Sequence, residues 1–205
     1  MTALEVDTPH GPAIAHLEAA ADPSGALVLG HGAGGGVSAR DLVTVANVAR
    51  SEGLSVALVE QPYRVAGRRS PAPARQLDAA WTAVVDHLRA GPLRDVPLVA
   101  GGRSSGARVA CRTAQATGAV GVLCLAFPLH PPGRPERSRL AELEEVEVPT
   151  LVVQGARDPF GMPPSAPHRV VVQVSGDHSL RTDLQAVAGA VRAWLPGVVG
   201  AATLK

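Results

Sequence analysis

The chain has 205 residues, of which 19 are basic and 18 acidic, for a formal net charge of +1. So even a balance supplies no uniform field for nucleic acid or an anionic membrane, and neither is expected as a partner. One domain spanning residues 1–205 is the default at this length, and with 46% hydrophobic but only 2% aromatic residues its core has to be aliphatic.

The first residues, Met1 to Glu5, lack a basic start followed by an apolar stretch, so no secretory signal is expected. No apolar run reaches the roughly 18 residues of a membrane span. Cys111 and Cys124 fall inside a predicted helix and a predicted strand, where a free cysteine behaves as a small buried hydrophobe. Reduced core thiols in a soluble chain suggest a cytoplasmic protein.

In chain order, the alternating runs 4–7 and 13–18 flank a Pro-His-Gly-Pro turn and predict a β-hairpin. Short continuous apolar runs follow at 26–29, 55–59, 97–100, 119–125, 150–153 and 169–174. Runs of this kind suit strands buried on both faces of a parallel sheet. Helical patterns separate most of them, at 39–51, 74–90, 105–116, a weak acidic piece around 139–145, and 180–195. The expected fold is a three-layer α/β/α sandwich with a mostly parallel sheet, antiparallel at its N-terminal edge. In such sheets function gathers at the carboxyl ends of the strands.

The run 97–100 leads into Gly102-Arg103-Ser104-Ser105-Gly106 and then directly into a helix. This G-x-S-x-G spacing matches a nucleophile elbow, in which a strained turn lifts the central hydroxyl clear of the backbone and so selects Ser104 over Ser105. A serine hydroxyl needs a base, and the base needs an acid to fix its tautomer. Asp158 lies just past the run 150–153, and His178 lies in the turn after 169–174. Of seven histidines, only His31, His130 and His178 clearly follow parallel strands. Asp177 is the fallback acid, although its adjacency to His178 makes a side-by-side hydrogen bond awkward.

Acyl transfer also needs donors for a developing oxyanion. The Ser105 amide is one candidate. The other comes from His31-Gly32-Ala33-Gly34-Gly35, with the Ala33 amide favoured and Gly34 next. The same loop contains Gly30-x-Gly32-x-x-Gly35, and Glu60 ends the next strand, which together spell a dinucleotide-binding fingerprint. Against that alternative, the hairpin displaces the motif from the first strand, and a nucleotide would leave Ser104, Asp158 and His178 without a role. A non-catalytic binding module is a further alternative.

In these motifs the chain resembles the α/β-hydrolase superfamily, specifically the small, capless, dienelactone-hydrolase-like group of predicted serine hydrolases. That group includes a hydrolase-like domain of a non-specific-lethal chromatin-complex subunit. The resemblance runs from Leu27 to the last helix. Besides the elbow it rests on Gly30 to Gly35, Glu60-Gln61-Pro62-Tyr63-Arg64, Phe127-Pro128-Leu129-His130-Pro131-Pro132-Gly133, Gln154-Gly155-Ala156-Arg157-Asp158 and Gly176-Asp177-His178-Ser179. It implies an α/β-hydrolase fold without a cap domain and a Ser-His-Asp hydrolase. Dienelactone hydrolases proper use a cysteine nucleophile, so their substrate does not carry over.

The interval between 119–125 and 150–153 is too short for a helical lid, so the site should be open. The reading is a carboxylesterase-like hydrolase of a small-molecule acyl substrate, working through an acyl-enzyme without cofactor or metal. His31, Tyr63, Arg64, Arg103 and His130 are the candidate substrate contacts. Arg64, Arg68, Arg69, Arg103, Arg134 and Arg137 could form a positive rim for an anionic group.

Overall fold

The computed structural model describes residues 1–203. Its centre is an eight-stranded sheet built from β1 (Thr2–Val6), β2 (Ala13–Glu18), β3 (Ala26–Gly30), β4 (Ser55–Glu60), β5 (Leu98–Arg103), β6 (Gly121–Leu125), β7 (Thr150–Gly155) and β8 (Arg169–Val174). The spatial order is β1-β2-β4-β3-β5-β6-β7-β8. The hairpin forms as expected, Val6 opposite Ala13, and β2 runs antiparallel to β4; every other pairing is parallel.

Side-chain alternation along these strands decides what packs on each face. Ala26, Val28, Ala100, Val122, Cys124 and Val152 point to one side. Leu27, Leu29, Leu123, Leu125, Leu151 and Val153 point to the other. The small-residue face receives α3 (Ala74–Ala90) and α4 (Ser105–Thr113), and α4 itself brings Ala107, Ala110 and Cys111 to the contact. The leucine-rich face receives α1 (Arg40–Ser51) and α6 (Leu184–Thr203). Short helices α2 (Pro62–Val65) and α5 (Leu140–Glu144) complete the chain. This is the α/β-hydrolase arrangement of three layers, with no cap domain among the described residues.

Two elements, β8 and the last helix, differ from the sequence reading. The run 169–174 is an edge strand, with Val170 exposed, because nothing pairs beyond β8 among the described residues. The last helix starts four positions later than the 180–195 pattern, at Leu184, where Asp183 accepts the Ala186 amide at 2.9 Å. It also continues through Pro196 to Thr203. The proline ring's φ suits a helix, and Val198 and Val199, packed on the sheet, hold the last turns despite one missing hydrogen bond. The extended α6 is long and apolar enough to cross a membrane by length and composition alone. Here Val187, Val191 and Leu195 are buried against the sheet and Arg192 pairs with Glu52.

Candidate active site

Ser104 follows the last residue of β5 and sits at φ +53°, ψ −108°, a conformation seldom adopted by a residue with a side chain. Packing enforces the turn. A Cβ on Gly106 would lie 2.6 Å from the Gly30 carbonyl carbon, and one on Gly102 would lie 2.6 Å from the Gly30 oxygen. Glycine at both positions therefore lets the elbow close against β3. The hydroxyl is left half-buried at the carboxyl edge of the sheet.

From two other strand ends come an imidazole and a carboxylate. The Ser104 hydroxyl lies 2.9 Å from His178 Nε2, and His178 Nδ1 lies 2.8 Å from Asp158 Oδ2. The Asp158 carboxylate, its side chain only 1% exposed, accepts a hydrogen bond from Nδ1–H, which leaves the Nε2 lone pair facing the hydroxyl. An imidazole held this way can take the serine proton as the oxygen attacks an electrophile. Asp177 is not part of this chain: it is exposed, and its Oδ1 accepts from the amide and hydroxyl of Ser179, contacts that lower its pKa.

Two residues that the sequence reading left without a role hold the acid and the base. Gln154, fully buried on β7, donates from Nε2 to Asp158 Oδ2 at 2.8 Å and to the carbonyls of Phe127 and Gly161. The Phe160 amide donates to Asp158 Oδ1, and the Phe160 ring lies on His178 with centroids 4.2 Å apart. The i, i+4 spacing of Gln154 and Asp158 across a strand end was the available signal.

The glycine loop after β3 lies against the elbow, since a Cβ on Gly32 would be 3.6 Å from the Ser104 Cβ. Among the described residues, the amides of Ala33 and Ser105 have no protein acceptor. Ser105 is the first residue of α4, whose leading amides have no partner within the helix.

The candidate substrate contacts divide. His31 is 3% exposed, donates from Nδ1 to the Gly32 carbonyl at 2.8 Å and accepts the Gln61 amide at Nε2. Burial lowers its pKa, in keeping with this neutral tautomer. Both ring nitrogens serve the backbone, so His31 is a support of the loop rather than a substrate contact. The buried Tyr63 donates its hydroxyl to the Ala33 carbonyl at 2.8 Å, again a support. Arg103 is also committed internally, to Asp41 Oδ2 at 2.8 Å and to the His178 carbonyl at 2.9 Å. His130 turns Nδ1 to the Pro131 carbonyl and packs against Gly161. Arg64 donates to the Arg68 carbonyl, while Arg68, Arg69, Arg134 and Arg137 are exposed. Arg103 therefore keeps only Nη1 for the positive rim.

The dinucleotide alternative does not find its geometry. Helix α1 starts only at Arg40, well beyond Gly35, and Glu60 is hydrogen-bonded to His16 at 3.1 Å instead of standing free for a ribose. Among the described residues no cluster of three or more metal-ligating side chains occurs.

A family model for the alpha/beta hydrolase domain matches residues 23–189. Among solved structures, the chain is similar to Est1E from Butyrivibrio proteoclasticus, with 15% identity, a TM-score of 0.79, and coverage of 98% of this chain and 100% of that one. It is similar to XC6422 from Xanthomonas campestris, described as a serine hydrolase without a lid, at 22% identity and a TM-score of 0.74 over 96% and 94% of the two chains. A dienelactone hydrolase from Anabaena variabilis is similar at 18% identity, with a TM-score of 0.74 over 96% of each chain. At these identities the likeness carries the fold. No curated protein sequence matches the chain.

Proposed function

This chain belongs to the alpha/beta hydrolase domain family, and from that premise we propose that it is a serine hydrolase cleaving an ester or related acyl bond through an acyl-enzyme at Ser104. The observation that carries the reading is the unbroken chain from the Ser104 hydroxyl through His178 to Asp158, with links of 2.9 and 2.8 Å.

In the proposed reaction His178 Nε2 takes the hydroxyl proton as Ser104 Oγ attacks the acyl carbon. The carbonyl oxygen gains negative charge toward the free amides of Ser105 and Ala33. Collapse of this intermediate expels the leaving alcohol, which takes the proton back from His178 and leaves an acyl group on Ser104. A water molecule, deprotonated by the same imidazole, then attacks the ester, and Ser104 recovers its proton as the acid leaves. Asp158 keeps the imidazole in the required tautomer and steadies its charged form. No step calls for a metal or cofactor.

A small-molecule acyl substrate fits the interval between β6 and β7, which holds only a loop and the five-residue α5. Discrimination then rests on loop residues. The two buried free thiols accord with the proposed cytoplasmic setting.

Fluorophosphonate labelling with peptide mapping tests the proposal. Modification at Ser104, abolished in Ser104→Ala, is the expected result. Label on Ser105, or none under conditions that label a control hydrolase, overturns it and favours a binding module.

A further inference from the structure

We propose that Arg103 is a positioning residue that locks the base loop and the oxyanion loop into register with the nucleophile, with Asp41 as its buried anchor. The inference rests on the hydrolase reading and adds to it a group outside the Ser104, His178 and Asp158 chain.

Arg103 is the last residue of β5, immediately before the nucleophile. Its guanidinium reaches two separate parts of the site. Nη2 donates to the carbonyl of His178, the residue that carries the base. Nη1 lies 3.0 Å from the point where a Cβ on Gly32 would be, so it packs closely against the oxyanion loop. The third arm, Nε, donates at 2.8 Å to Asp41 Oδ2.

Asp41 is a deliberate-looking place for an anchor on physical grounds. It is 1% exposed, in the first turn of α1, and its other oxygen accepts the Leu42 amide. Burial raises its pKa and the neighbouring Arg103 works against that rise. An unpaired carboxylate would be costly in this position, so the ion pair fixes the guanidinium as firmly as the guanidinium fixes the loops.

The planar fork of arginine explains the residue type. One rigid group addresses a carboxylate and a carbonyl in different directions, which a lysine ammonium on a flexible stem cannot reproduce. Nε and Nη2 are committed inside the protein and only Nη1 is left without a hydrogen bond, so the comparison of neutral and anionic esters separates this role from recognition of an anionic substrate. Reacting groups displaced by about 1 Å can lose on the order of 100-fold in rate, so the lock acts on turnover more than on binding.

The test uses the purified 205-residue chain and two matched activated esters, one neutral and one bearing a carboxylate, with Ser104 labelling by a neutral fluorophosphonate as a second readout. In Arg103→Gln, and more mildly in Arg103→Lys, kcat and the labelling rate should fall by about 10- to 100-fold while KM changes less than about threefold. The loss should be the same for both esters. Asp41→Leu should reproduce the effect, and the double variant should be no worse than the worse single one, because the two act as a unit. Thermal unfolding identifies variants that fail to fold, and Arg103→Lys keeps the test open if Arg103→Gln does not fold.

Labelling of folded Arg103→Lys and Asp41→Leu at the wild-type rate overturns the proposal. So does a loss confined to KM for the carboxylate ester, which would make Arg103 a substrate receptor. An unlabelled wild-type chain would instead sink the hydrolase reading itself, so the two failures are distinguishable.

Discussion

The two sides of the nucleophile are built differently. On the acid and base side, beyond β7 and β8, what is held is side chains: the Gln154 side chain and the Phe160 backbone amide fix Asp158, Asp158 fixes His178, and the Phe160 ring covers the imidazole. On the oxyanion side, beyond β3 and β4, side chains hold backbone: Tyr63 takes the Ala33 carbonyl, and His31 takes the Gly32 carbonyl and the Gln61 amide. The difference follows from what each side is proposed to do. A proton relay needs particular side-chain atoms aligned, whereas an oxyanion cradle needs amides pointed in one direction, and any rigid support of the loop serves.

The comparison predicts that single substitutions on the acid and base side cost more activity than those on the oxyanion side. The largest effects should come from Ser104→Ala and His178→Ala, with kcat down by roughly 10⁴ to 10⁶, and from Asp158→Asn, down by about 10⁴. Circular dichroism should show the fold intact in each. Full activity in Asp158→Asn would move the acid role elsewhere and dissolve the contrast.

Gln154→Leu comes next. It keeps the shape but strips one donor from Asp158, leaves the Gly161 carbonyl without its donor and leaves the Phe127 carbonyl with the Leu129 amide alone. Steady-state kinetics should show kcat lower by about 10- to 100-fold, and denaturant titration a loss of about 1 to 3 kcal/mol.

Tyr63→Phe removes a single hydrogen bond from the oxyanion loop, and His31 and the elbow still hold that loop. It should cost about 1 kcal/mol of stability and only a few-fold in kcat. A loss larger than that of Gln154→Leu would reverse the comparison.

The smallest expected effect is none. Cys111 on α4 and Cys124 on β6 meet where the elbow helix packs on the sheet, with sulfurs 3.5 Å apart. The hydrogen bond between them and their burial hold the Cys124 thiol well above the ordinary cysteine range. Iodoacetamide near neutral pH should leave both unmodified and activity unchanged.

How far the sequence discloses this arrangement follows the same division. Strands β3 to β7 are legible because each is a continuous apolar run ending at a recognisable loop, and the elbow is legible because glycine spacing reports a local backbone constraint. Positions 104, 158 and 178 are legible as strand-end residues, in an order that one sheet can bring together. The supports are not, because they depend on pairs distant in the chain. Arg103 meets Asp41 and the His178 carbonyl only once α1 and the β8 loop are folded over β5. Tyr63 and His31 read as polar groups near a site until burial shows what they hold. The four-residue α2 is too short to leave a periodic signal, and Pro196 reads as a helix end although packing of Val198 and Val199 carries α6 past it.

The acyl-enzyme at Ser104 is the central claim, and pre-steady-state kinetics with an activated nitrophenyl ester address it most directly. The account predicts a rapid burst of nitrophenolate approaching about one equivalent per chain, followed by slower turnover, with a matching acyl adduct on the Ser104 peptide. Turnover without a burst or adduct in wild type, or a burst that survives in Ser104→Ala, would contradict it.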